Sequence, residues 1–207
     1  METAISASAG VHLPPKINLA RFGMLTFLAS EVMLFAGLIS AYLILWISRG
    51  SLFKPDWAES WPVALTGMNT VILVGSSFVL LWGEKNVVKG LSASLPLFIT
   101  TIMGATFVCI QGYEWTNLKE HENLWFNTAG TYTSTFFTLT GFHGLHVAIG
   151  VLLLFSSLIF SLRGRFTPHD HALLECASLY WHFVDIVWVF LFTILYVLPP
   201  VLRWLFH

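Results

Sequence analysis

Three groups of ionisable side chains stand inside long apolar runs, where water cannot solvate them. Glu31 lies in Phe27-Leu28-Ala29-Ser30-Glu31-Val32-Met33-Leu34-Phe35-Ala36-Gly37; His143 and His146 form one close pair, and His182 and Asp185 another. An ionisable residue at hydrocarbon depth costs a few kcal/mol on insertion scales, about 2.5 to 3.5 for a charged group, so it marks a functional site by default. His143 and His146 are three residues apart, as are His182 and Asp185, so each pair shares one face of a helix. The second face extends back through Ser178 to Glu175.

Three chemistries suit these residue types. In the first, they hydrogen-bond between helices and specify packing, each bond contributing about 1 kcal/mol. In the second, His143, His146 and His182 ligate a metal or haem, since histidine is the commonest metal ligand. Di-iron bundles use Glu-x-x-His on two helices with further glutamates; here there is one His-x-x-Asp in the reverse order, one His-x-x-His and a lone Glu31, and no metal site is expected. The third chemistry is proton handling by a carboxyl, because burial disfavours the charged form of such a group. Glu31 suits it best: at helical spacing its neighbours are Phe27, Leu34, Phe35 and Leu38, with Ser30 the nearest polar exception.

The elements that must hold these groups are membrane helices. Of 207 residues, 56% are hydrophobic, 15% aromatic and only 10% charged, far from the charge content of a soluble domain. A net charge of -1 supplies no basic footprint, so nucleic acid is excluded as a partner. Apolar runs over 20–47, 62–82, 91–113, 132–162 and 176–198 each approach or exceed the ~20 residues that cross a hydrocarbon core. Their continuity favours helices over barrel strands, which alternate over ~10 residues. The expected fold is therefore all-α, an integral membrane bundle of five transmembrane helices over 19–198. A flexible N-terminal segment (1–18) and a short C-terminal tail (199–207) flank it.

Lys16, Arg21, Lys85, Lys89, Arg163 and Arg165 fall on one side of the membrane, and Arg49, Lys54, Lys119 and Arg203 on the other. The bias places the N-terminus inside and the C-terminus outside. The first eighteen residues lack a basic n-region and precede an apolar run too long for a signal-peptide core, so the first span is expected to stay. Cys109 and Cys176 form no CxxC pair and fall at opposite membrane faces, so neither a redox dithiol nor a disulfide is expected. Thr167 followed by Pro168 suits an N-cap and first turn for the fifth helix. Gly67, Gly75, Gly104, Gly141, Gly144 and Gly150 allow close helix approach, and Asn69, Thr70, Ser76 and Ser77 offer bonds between helices.

Three strings carry a family resemblance. Ser30-Glu31-Val32-Met33-Leu34-Phe35-Ala36-Gly37 is one. Ser134-Thr135-Phe136-Phe137 with Thr140-Gly141-Phe142-His143-Gly144-Leu145-His146-Val147 is another, and Tyr180-Trp181-His182-Phe183-Val184-Asp185-Ile186-Val187-Trp188 the third. In this order, with Asn69-Thr70 and Gln111-Gly112-Tyr113-Glu114 between them, the chain closely resembles subunit III of haem-copper terminal oxidases over residues 19–198. The resemblance implies a subunit without a redox centre of its own, haem and copper residing in partner subunits. It implies packing on subunit I in a complex with subunit II and a small subunit IV, bound phospholipid, and support of proton uptake and sustained turnover in a bacterial inner membrane. Glu31 then corresponds to the family's membrane glutamate. His143, His146, His182, Asp185 and Glu175 form its buried polar signature, and Arg163 and Arg165 are candidates for lipid headgroup contacts. The mitochondrial form looks like a seven-helix protein whose first pair this chain lacks, as in the five-helix bacterial form. Five-helix members serve cytochrome c oxidases, quinol oxidases and homologues associated with nitric oxide reductases, and the Ser-Glu-Val-Met context of Glu31 leans toward the cytochrome c group. A His-ligated membrane oxidoreductase is the rival from another class.

Overall fold

A computed structural model describes residues 19–49, 63–121, 130–168 and 170–198. The expected N-terminal segment and C-terminal tail lie outside these residues. The described chain folds as five helices: α1 (Leu19–Arg49), α2 (Val63–Val88), α3 (Ser94–His121), α4 (Gly130–Leu162) and α5 (Ala172–Phe192). The last continues into a π-helical turn, Thr193–Val197. All five are long and apolar enough to span a membrane. In hydrocarbon every backbone N–H and C=O must be satisfied within the segment, which these uninterrupted apolar runs achieve as helices. α1 and α4, at 31 and 33 residues, exceed the ~20 that cross the core and so tilt or project beyond it.

α2, α3, α4 and α5 close a ring in which each helix packs on two others, while α1 lies outside it against α5 and, less extensively, α4. Burial follows this arrangement: half of the apolar window of α5 is enclosed, against 11% of that of α1. The core is aromatic. Trp181 and Trp188 are fully enclosed, together with Phe107, Phe137 and Tyr180. Trp181 occupies a slot that only glycine leaves open. A Cβ on Gly150 would come within 2.7 Å of its ring, and one on Gly104 would collide with the ring and with Val151. Of the glycines expected to allow close approach, Gly67 meets nothing and Gly75 makes only ordinary contact.

Two turns fix the ring on one side of the membrane. Gly90, at φ +74°, ends α2 with its N–H on the Val87 carbonyl and the Leu91 N–H on Asn86. Gly164, at φ +63°, ends α4 with the same pair of bonds, to Ser161 and from Arg165 to Phe160. Both are Schellman closures, which demand a left-handed residue and so favour glycine. The start of α5 differs from the sequence expectation. Thr167 does not cap it; its hydroxyl accepts the Asp170 N–H at 3.0 Å, and the two backbones exchange bonds in a tight turn. The helix begins only at Ala172, because Thr167 is already committed to that turn. α3 likewise begins at Ser94, not at Leu91, which the α2 closure consumes.

Candidate functional site

The ionisable groups do not converge on one interior; the ring divides them among separate seams. Glu31 of α1 meets His146 of α4, with Oε2 and Nε2 3.0 Å apart and the side chains 17% and 10% exposed. The other ring nitrogen of His146 sits 2.6 Å from the Phe142 carbonyl oxygen. A carbonyl only accepts, so Nδ1 carries a hydrogen, and the remaining nitrogen is the one that faces the acid. A hydrogen bond between Oε2 and Nε2 therefore needs one hydrogen, carried by the carboxyl or by the imidazole. Phe35 stands edge-on to the imidazole at 5.0 Å and Tyr180 stacks on it at 6.5 Å. The Tyr180 hydroxyl donates to the His146 carbonyl. Its own helix offers Glu31 no partner, Ser30 being turned to the Phe27 carbonyl, and α4 supplies one.

His182 and Asp185 lie at the α2–α5 seam and share a face, as their spacing requires. They meet through Ser77 of α2, whose hydroxyl donates to Asp185 Oδ2. With that hydrogen committed, Ser77 Oγ accepts from His182 Nδ1 at 3.0 Å. Asp185 Oδ1 and His182 Nε2 are buried and make no hydrogen bond. Glu175 is not part of this group; it turns to His171, 3.2 Å away, the residue just before α5. Ser178 is buried on the same helix.

His143 occupies a third place, the ring interior. It is wholly enclosed, stacked on Trp188 at 4.7 Å and edge-on to Phe107 at 5.9 Å, and neither ring nitrogen is hydrogen-bonded. Among the described residues no three or more His, Cys, Asp or Glu side chains gather as metal ligands. Cys109 and Cys176 are free thiols. Arg163 and Arg165 are exposed at and just beyond the Gly164 turn, the Arg165 guanidinium 5.6 Å from the Phe160 ring centroid.

The hydroxyls and amides expected to join helices do so. Thr70 accepts from Trp188 Nε1 and Ser76 from Trp181 Nε1, both at 2.9 Å, and Asn69 Nδ2 donates to the Phe107 carbonyl. One buried acid escapes the sequence reading as a site. Glu114 of α3, 8% exposed, accepts from the Thr66 hydroxyl of α2 at 2.8 Å. Its signal is the one that marks Glu31, an acid within a helix that continues well past it, to His121. Ending the third span at Tyr113, where hydropathy falls, hides that signal.

The chain matches the family model described as cytochrome c oxidase subunit III over residues 3–199. It is 39% identical over 192 residues to cytochrome c oxidase subunit 3 of Synechocystis sp., covering 91% of this chain and 79% of that one. To the subunit 3 of Thermostichus vulcanus it is 38% identical over 210 residues, 96% of each. It is 35% identical over 198 residues to that of Latimeria chalumnae, 92% of this chain and 74% of the relative.

Proposed function

The chain belongs to the cytochrome c oxidase subunit III family, and from that membership we propose that it is the non-catalytic third subunit of a bacterial respiratory oxidase. It sits in the inner membrane with its N-terminus inside, as the six-to-four distribution of Lys and Arg favours. It packs on subunit I, beside subunit II and a small subunit IV. Haem and copper reside in those partners, and cytochrome c, with quinol as the alternative, delivers the electrons. The His-ligated rival loses its support: His146 is engaged by Glu31 and the Phe142 carbonyl, His182 by Ser77, and His143 is sealed among aromatic rings.

The observation that carries a role in proton uptake is the Glu31–His146 pair. A carboxyl and an imidazole 3.0 Å apart form a site that binds a proton and shifts it between two atoms without moving a helix. Packed beside a proton-consuming subunit, such a site buffers delivery and prolongs turnover. Arg163 and Arg165, exposed at the same end of the ring as Lys85 and Lys89, supply cationic groups for phospholipid headgroups.

The test is made in the assembled oxidase. Glu31→Gln keeps size and hydrogen bonding but removes the titrating oxygen, whereas Glu31→Ala also leaves a void. Both variants are expected to assemble, to turn over more slowly or inactivate earlier, and to worsen as pH rises and protons become scarce. Normal rate and lifetime in Glu31→Gln across pH, with only Glu31→Ala impaired, would reduce the carboxyl to a packing element.

A further inference from the structure

At the end of the bundle opposite the Gly90 and Gly164 turns, every helix buries one hydroxyl or carboxyl. Tyr42 of α1, Thr66 of α2, Glu114 of α3, Tyr132 of α4 and Tyr196 just beyond α5 are each 8% exposed or less. Thr66 donates to Glu114 Oε1 at 2.8 Å, and the Tyr196 phenol reaches the same threonine hydroxyl. Thr66 has one hydrogen, so its oxygen accepts from Tyr196 while it donates to the acid, a chain that runs in one direction from phenol to carboxyl. Tyr132 lies within electrostatic reach of Tyr42 and Tyr196, and Phe136 packs on both the Tyr132 and the Tyr196 rings, at 6.3 and 6.2 Å. Tyr196 stands in the π-helical turn Thr193–Val197 and is buried there with Leu195. Turns of that kind are rare and occur frequently at functional sites.

Elsewhere in the bundle a bonded acid has a nitrogen base in reach: Glu31 faces His146, Glu175 faces His171, and Asp185 reaches His182 through Ser77. Among the described residues no nitrogen base meets Glu114; its partners are the Thr66 hydroxyl and, within electrostatic reach, the Tyr196 phenol. A carboxylate in that position would be a buried charge without a counter-ion, and such a group neutralises by binding a proton.

We propose that Glu114 is a second proton-binding site of this chain, one that holds its proton at neutral pH, and that the hydroxyl cluster closes this end of the bundle around the neutral acid. The two sites differ in kind. Glu31 can exchange a proton with the imidazole beside it, whereas Glu114, set among hydroxyls, keeps its own. The titratable groups that face it are phenols: Tyr196 from the π-helical turn, with Tyr132 of α4 and Tyr42 of α1 behind it; α2 contributes Thr66, which does not titrate. Phenols ionise far above neutrality, so the acid is the group of this cluster that titrates first. A proton bound while the cluster is closed and released when it opens makes closure weaken as pH rises. The proposal rests on this chain's own residues and on no partner subunit.

Hydrogen exchange in the assembled oxidase, read by mass spectrometry and corrected for the intrinsic pH dependence of amide exchange, tests it against Glu114→Gln, which has the shape of the neutral acid but cannot ionise. In the unsubstituted chain the amides around Thr66, Glu114, Tyr132 and Tyr196 are expected to lose protection several-fold as pH rises from neutral into the alkaline range, while those around Gly90 and Gly164 keep theirs. In Glu114→Gln the protection at neutral pH should remain and its pH dependence at that end should vanish. Failure of Glu114→Gln to assemble, lower protection in it at neutral pH, or a pH profile that it leaves unchanged would overturn the proposal. Infrared spectra of the same two proteins read the proton directly. At neutral pH the substitution should remove absorption in the carbonyl region of protonated carboxyl groups; removal from the carboxylate region instead would overturn the assignment.

Discussion

On the side of α5 that faces α2, successive turns are tied by side-chain hydrogen bonds: Trp181 to Ser76, Asp185 to Ser77 and Trp188 to Thr70. On the side that faces α1 the contacts described are ring beside ring, Phe27 with Tyr180 and Phe35 with Phe183, and Glu31 of α1 reaches past α5 to His146 of α4. In lipid, apolar surfaces gain little by leaving one acyl environment for another, so polar bonds and close packing decide which helices hold register. The α2–α5 pair is specified turn by turn, whereas the contacts described for α1 are mainly aromatic, with the Glu31–His146 pair beside them. The two carboxyls differ in the same sense. Glu31 touches its imidazole directly, and Asp185 reaches His182 through the Ser77 hydroxyl. A proton crosses the first pair in one hop, but the second needs the serine to exchange its hydrogen.

The largest effect is expected where packing and hydrogen bonding coincide. Trp181→Ala removes an enclosed indole and leaves Ser76 without its donor, at a cost of about 3 to 5 kcal/mol; thermal denaturation of the complex should show a lower melting temperature, with loss of this subunit. A stability equal to that of the unsubstituted chain would mean that the α2–α5 side is not the stronger grip.

Asp185→Leu comes next. It leaves the Ser77 hydroxyl without its acceptor at a cost of about 1 to 3 kcal/mol, so both the melting temperature and the amount retained in the complex should fall. If retention and melting are unchanged, the relayed carboxyl plays no structural part and the contrast with Glu31 reverses.

The smallest effect is expected at α1. His146→Gln replaces the imidazole that faces Glu31, and the loss should be about 1 kcal/mol. Its signature is location: faster hydrogen exchange confined to the amides of α1, with those of α2 and α5 unaltered. Exchange that rises equally throughout the ring would show that α1 is not separately held.

The five-helix architecture and the polar character of the seams are legible from the chain. Continuous hydropathy marks each span, and Asn69, Thr70, Ser76 and Ser77 reveal themselves as hydroxyls and amides that lipid would not tolerate. What sequence spacing cannot supply is pairing. Glu31 and His146 lie at similar depth, as do His182 and Asp185, and depth alone suggests one shared interior; only the order of helices around the ring sends them to different seams. Trp181 and Trp188 escape as hydrogen-bond donors because an indole reads first as apolar bulk. The Thr66–Glu114 bond escapes because hydropathy ends the third span before the backbone does, and α-helical hydrogen bonding continues to His121 regardless of side-chain polarity. Thr167 illustrates the opposite error: a good capping residue is claimed by a nearer turn.

The indole slot has an evolutionary corollary. Positions 104, 150 and 181 sit on three different helices yet share one volume, filled by Trp181 where Gly104 and Gly150 give way. A lineage that gains a methyl at either glycine must shrink the residue at 181, and one that shrinks residue 181 frees both glycines to grow. The three sites should therefore drift through sequence space as a single unit, and the changes that keep them compatible will arrive together or not at all.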